Sequence, residues 1–448
     1  MRFIPLTDSD RSEMLEKIGV SSVSELFADI PEQIRLYDPL NLPGPEPELD
    51  LMERFEELAG ENQALNPRKS FLGAGAYLHH VPVAVDQLLL RSEFFTCYTP
   101  YQPEVSQGTL AAIYEFQTYT AALTGMEIAN ASMYDGASAL AEAVIMSARI
   151  KKKPKVIVSG LVHPHWREVT AAYTRTLDID LVTVDTGLER GVTDSAQLAI
   201  DDTTAAVVVQ SPNFLGNIED LREIRSACDS VGALMIVAVA EPVSLGLLKG
   251  PGHFGADVAV AEGRSFGGSL SFGGPGLGMF AVNKEYVRQM PGRLAGKTKD
   301  TQGREGYTLT LSTREQHIRR EKATSNICSN QALCATAAVI HMSLLGKDGL
   351  RKLAIQNLSA AAYLSRRVTS LNGFERISGA HFFNEVAINM PVDPQVVNSR
   401  LAKEGIQGGL DLSEYYPELK SSMLFCATEM NTKKSIDQLV SVLAEFEK

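Results

Sequence analysis

The chain has 448 residues, with 42 Lys plus Arg against 54 Asp plus Glu and a formal net charge of −12 at pH 7. At about 150 residues per domain this length suggests two to three domains, and 44% hydrophobic with 21% charged residues is an ordinary globular composition. The acidity argues against nucleic acid and anionic membrane as partners, and no apolar run approaches the ~18 residues of a bilayer span.

The opening residues lack the charged, then apolar, then small order of a secretion signal, so a cytoplasmic protein is expected. The five cysteines, Cys97, Cys228, Cys328, Cys334 and Cys426, form no CxxC pair. Their odd number and wide spacing suit reduced thiols, not a disulfide framework or a cysteine zinc site.

Residues 1–65 read as an arm of short helices. Asp8 or Ser9 is placed to cap a helix over 11–18, and Ser22 or Ser24 another over 25–27. A proline-rich stretch from Asn41 breaks helix formation, and helical spacing returns over 48–58. An arm with apolar faces and no core of its own must pack on its own domain or on a second subunit.

Residues 66–315 alternate helices with short β-rich runs. The expected strands are 155–159, 181–184, 205–210, 233–239, 258–261 and 279–282. Several are nearly continuous apolar runs, as in strands covered on both faces. Helical patterns at 137–148, 165–176 and 221–231 lie between them. This predicts an α/β domain on a parallel-rich sheet.

Residues 316–448 predict a smaller α+β C-terminal domain. Helices are expected over 328–345, ending at Gly346, and over 350–371. A strand at 382–388, a helix at 396–404, a strand at 423–427 and a helix at 434–447 follow.

Four constellations can carry chemistry. Gly73-Ala-Gly75 lacks the third glycine of a dinucleotide fingerprint. The run 263–278 holds seven glycines, which serve either tight turns or a close backbone approach to a ligand. Residues 96–108 crowd Thr, Tyr, Gln and Glu between prolines, the make-up of a rigid functional loop. Residues 316–326 place basic side chains beside Thr324, Ser325 and Asn326 at a domain junction, where clefts form.

Asp135 is placed to cap the helix that begins near Ala137, whose N-terminus is also suited to an anion. His163, before a proline at a strand end, suits either stacking on a ligand or a structural role. His79 and His80 lack partners at metal-ligand spacing, so no metal is expected.

Several blocks together resemble one family. FLGAGAYLHHVP, TCYTPYQPEVSQG, EFQTYTAALTGMEIANASMYDGASALAEA, LSFGGPGLGMF and STREQHIRREKATSNIC follow one another as in the glycine decarboxylase P-protein of the glycine cleavage system. The resemblance begins at FIPLTDSDRSEMLEKIGVSSVSELFADIP and spans nearly the whole chain. It implies the fold type I architecture of pyridoxal-phosphate enzymes. Some members join two homologous halves in one chain, and others divide them between subunits. This chain resembles the N-terminal half, the alpha subunit or subunit 1.

One departure bears on the role. The family's Schiff-base lysine sits before the glycine-rich run, in a motif like His-Lys-Thr-Phe. Here the corresponding stretch reads Gly263-Arg-Ser-Phe266, and no lysine lies between Lys249 and Lys284. A guanidinium stays protonated and is no amine nucleophile. Glu241, after the strand ending near Val239, is a partial stand-in for the aspartate that pairs with the pyridine nitrogen.

The resemblance therefore implies a beta subunit that holds pyridoxal phosphate and reacts with glycine and a lipoyl-carrying H protein. Tyr98, Tyr101, Gln102 and Glu104 are expected to contribute to catalysis across the interface. His317, Arg319, Thr324, Ser325 and Asn326 are expected to reach the cofactor from the same side. Two alternatives stay open: a non-catalytic scaffold for the beta subunit, and a self-contained pyridoxal enzyme using Lys249 or Lys284.

Overall fold

The structure, a computed structural model, describes residues 5–62, 66–185 and 187–447. The first residues of the opening sequence block, and the expected arm boundary at residue 65, lie outside the described residues. The chain groups into two compact units, one through residue 64 and one from residue 65 onward.

The first unit holds helices α1 (Asp8–Ile18) and α2 (Glu48–Gly60), with single helical turns at Val23–Phe27 and Glu32–Ile34. Thr7, one residue earlier than expected, caps α1 in a reciprocal box with Asp10. Gly19 ends α1 in the left-handed conformation. None of the described residues of this unit is buried, and Phe27, Ile34, Leu42 and Phe55 are all exposed. The arm has helices but no core.

The second unit begins with α3 (Val83–Leu89), α4 (Ser92–Phe95) and α5 (Gln107–Thr124). A seven-stranded sheet follows: β1 (Ile128–Ala129), β2 (Lys155–Ser159), β3 (Asp180–Val184), β4 (Thr204–Gln210), β5 (Leu234–Val239), β6 (Val258–Glu262) and β7 (Gly278–Val282). Their spatial order is β1-β7-β6-β5-β4-β2-β3. Strands β6, β5, β4, β2 and β3 run parallel, and β7 is antiparallel to β6 and β1. Helices α6 (Gly136–Lys151), α7 (Pro164–Thr174) and α8 (Leu221–Val231) connect the strands.

Val156, Val158, Val208, Ile236 and Val260 pack on one face of the sheet, against Leu140, Val144 and Trp166. Ile157, Val207, Met235 and Val237 pack on the other, against Ile224 and Cys228 of α8. Burying each such aliphatic side chain contributes about 1.5–3 kcal/mol. Both faces being covered explains the unbroken apolar runs of the sequence.

A hairpin of β8 (Leu294–Lys299) and β9 (Glu305–Thr310) and a short helix α9 (Gln316–Arg319) lead to the long helix α10 (Ala332–Val368), broken at Gly346. The remaining strands are β10 (Glu375–Arg376), β11 (Glu385–Asn389), β12 (Leu410–Asp411) and β13 (Ser422–Cys426). They form an antiparallel sheet in the order β10-β11-β13-β12. Helices α11 (Pro394–Lys403) and α12 (Lys433–Leu443) share its core with the second half of α10.

Candidate functional site

In an open parallel sheet, ligands bind beyond the carboxyl ends of the strands, where the strand order reverses. Here β2 leads outward to β3, while β4, on its other side, leads toward β5 and β6. The loops after β2, β4, β5 and β6 therefore frame the crevice.

Asp135 caps α6 through Ser138 in a reciprocal box, as expected. The first N–H of that helix, from Gly136, donates to Oε2 of Glu262, the last residue of β6, at 2.9 Å. The other oxygen of Glu262 accepts from Leu277 N–H at 2.9 Å and Arg264 N–H at 3.1 Å. Glycines of the 263–278 run serve close packing here: a Cβ on Gly278 would fall 2.4 Å from the Asp135 carbonyl oxygen. Burial pushes the Glu262 carboxyl up, against these three N–H donors and Arg264.

Glu241, beyond the end of β5, takes Val243 N–H at 2.9 Å, Ser265 Oγ–H at 3.2 Å and His79 Nε2–H at 2.8 Å. His79 Nδ1 lies 2.9 Å from Glu429 Oε2, so its ring bridges two carboxylates. Burial alone would lower the imidazolium, but Glu241 and then Glu429 outweigh it and raise its pKa to about 10. Glu385 binds Ala74 N–H at 2.6 Å and the Tyr77 hydroxyl at 2.8 Å, and burial raises it to about 7.

His163 is a structural histidine. Nε2–H donates to the Ala74 carbonyl at 2.9 Å, Nδ1 accepts from His165 N–H, and the ring stacks near Trp166. Burial lowers its pKa to about 4, which keeps it neutral.

A second cluster lies on the outer loops. Arg293, 4% exposed by its side chain, reaches Tyr101 Oη at 2.9 Å, Thr99 Oγ1 at 3.2 Å and Glu315 Oε2 at 3.4 Å. Its guanidinium also stands over the Tyr101 ring. His317 meets that ring edge-on, with centroids 6.3 Å apart, and its Nδ1 is 3.6 Å from Glu315. The segment is bracketed by Leu311 and Arg320, both at positive φ; Leu311 is in the left-handed helical region, at a cost of about 1–2 kcal/mol. Arg314 offsets this by holding the carbonyls of Met290 and Gly292.

The structure thus joins Tyr101 with His317. Arg319 donates to the Thr313 carbonyl, and Asn326 accepts from Gln316, so both stay on this segment. Thr324 instead pins it to α6, its carbonyl accepting from Arg149, and the Ser325 hydroxyl accepts from Ile327 N–H. Tyr98, Gln102 and Glu104 are exposed, and their side chains make no hydrogen bond among the described residues.

Lys284 follows β7, which is antiparallel to β6 with Val282 beside Val258. It therefore sits at the opposite end of the sheet from Glu262. Lys249 lines a separate apolar cavity with Tyr119, Leu123 and Met342. Neither lysine is among the residues bonded to Glu241 or Glu262. Sequence reasoning missed Arg293, the hub of the outer cluster, and set His79 aside. His79 lies within the FLGAGAYLHHVP block, which was the available signal.

Comparison with solved structures defines the class. A glutamate decarboxylase from Lactobacillus brevis superposes with a TM-score of 0.67 at 15% identity, covering 92% of this chain and 95% of that one. The fold is that of fold type I pyridoxal-phosphate enzymes. A crystal structure titled glycine decarboxylase (P-protein) of the glycine cleavage system, in inhibitor-bound form, superposes with a TM-score of 0.89 at 42% identity, over 100% of both chains.

The sequence profile of the glycine cleavage system P-protein matches residues 1–443, and the chain belongs to that family. A relative from Desulfitobacterium hafniense, named "Probable glycine dehydrogenase (decarboxylating) subunit 1", is 50% identical over 448 residues and covers 100% of both chains. One of the same name from Rhodospirillum centenum is 49% identical, covering 99% of each.

Proposed function

We propose that this chain is subunit 1 of a glycine decarboxylase and completes an active site whose pyridoxal phosphate is held by a second, homologous subunit. The reaction is glycine plus the lipoyl disulfide of an H protein giving CO2 and the S-aminomethyl-dihydrolipoyl carrier. Bound to the partner, the cofactor supplies the electron sink for the carbanion left by CO2. The residues of this chain do not fit the cofactor: Arg264 stands where the family has its lysine, and the α6 N-terminus already bonds a carboxylate.

One observation carries the reading. A buried guanidinium, Arg293, fixes Tyr101 and Thr99 from one loop and Glu315 from another at a surface where Tyr98 and Tyr101 are 75% and 58% exposed. A preorganised polar cluster facing outward is what a site shared between subunits requires. Tyr98, Tyr101, Gln102 and Glu104 meet the substrate side, and His317, Arg319, Ser325 and Asn326 extend the same face, with Thr324 anchoring it to α6. Exposed Phe95, Val105 and Ile318, and an arm without a core, supply apolar surface for the partner.

The test is to assemble Tyr98→Phe and Arg319→Ala chains with the second subunit. Both variants should form the complex and turn over more slowly in glycine–bicarbonate exchange. Full activity in both would refute the placement.

A further inference from the structure

A phosphorylated pyridine cofactor presents two charged ends, a phosphate and a protonated ring nitrogen. A helix N-terminus suits the first, and an acidic side chain pairs with the second. This chain has both devices at its strand ends, and each is bonded to a side chain of the chain itself.

The N-terminus of α6 receives Glu262, 6% exposed, whose two oxygens collect N–H groups from Gly136, Arg264 and Leu277. Trp166 closes the space beside it: a Cβ on Gly136 would lie 2.4 Å from the indole ring. The acidic residue beyond β5, Glu241, is 2% exposed and bonds Nε2 of His79. Glu429 holds the far nitrogen of that ring, Asn357 holds Glu429, and Ser265 ties Glu241 to the turn that follows Glu262. The positions of an anion and of a ring cation are thus filled within one hydrogen-bonded set.

We propose that Glu262 and His79 are built-in occupants of the two charged positions this fold offers to a phosphorylated pyridine cofactor, so that this chain keeps its own crevice closed. The inference deepens the reading above, which places the cofactor on the partner, but is tested on this chain alone. Its failure and a failure of the shared site are therefore distinguishable.

In the first experiment the full-length Arg264→Lys chain is incubated with pyridoxal phosphate, reduced with borohydride and mapped by peptide. Although a lysine now follows β6, specific pyridoxyl labelling at position 264 is not expected. Stoichiometric labelling there would show an open cradle and overturn the proposal. In the second, thermal unfolding of wild type and Glu262→Ala is followed in inorganic phosphate against sodium chloride of equal ionic strength. The variant should unfold at a lower temperature and recover several degrees with phosphate, whereas wild type should not respond. A phosphate response in wild type, or none in a folded variant, would overturn the proposal. Should Glu262→Ala not fold, the labelling result decides.

Discussion

Beyond the end of β5, Glu241 and Glu429 are both bonded to His79, and the three side chains are 2%, 12% and 3% exposed. On the outer loops, Tyr98, Gln102 and Glu104 carry equally reactive chemistry but stand exposed. The first region satisfies every charge internally and so contributes rigidity. The second gathers its charge beneath the surface, on Arg293, and leaves the groups above it available. Within one fold, burial separates side chains bonded inside the chain from side chains left exposed at its surface.

The largest expected effect breaks the inner region. His79→Gln removes the cation between two buried carboxylates, and breaking such an ion pair costs about 3–5 kcal/mol. The pH dependence has a definite sign. The His79 pKa is about 10 in the folded chain, above 6.5 for a free imidazole. Its contribution is complete below pH 6.5 and is lost as pH rises through 10. Burial acts against it, and Glu241 and Glu429 act for it. Denaturant unfolding of wild type should lose stability across that window, and His79→Gln should lose less.

Arg293→Ala is next. It strands Glu315, whose side chain is 10% exposed, and frees Tyr101 and Thr99. A drop of about 2–4 kcal/mol, at the lower end for a broken buried pair, should accompany more than tenfold slower turnover in the assembled enzyme. Tyr101→Phe keeps the ring and loses one charge-assisted bond. About 1 kcal/mol of chain stability and several-fold in turnover are expected from unfolding and rate measurements on the same preparation. Smallest is Gln102→Ala: stability should stay within about 0.5 kcal/mol, while turnover of the complex falls. If Gln102→Ala destabilised the isolated chain as Arg293→Ala does, the contrast between the two regions would collapse.

The central sheet was legible because strands such as β4 and β5 are buried on both faces and read as unbroken Ala, Val and Ile. The hairpin β8–β9 was not, because its residues are mixed, half-exposed and paired only with each other. In the site, loop 96–108 and segment 316–326 stood out by composition, and the structure does join Tyr101 to His317. The residue that joins them did not. Arg293 follows an unremarked Pro-Gly pair and meets Tyr101 across 192 positions of sequence, a distance no local pattern spans. His79 was set aside for want of metal-ligand spacing, whereas its partners, Glu241 and Glu429, are 162 and 350 residues away.

The Glu262 carboxylate at the start of α6 has a consequence for the chain's life before assembly. A protein that needs a ligand to satisfy a helix end gains stability in proportion to the logarithm of that ligand's concentration. Here the acceptor is covalently part of the chain and always present. This end of α6 is therefore satisfied at any concentration of an outside anion.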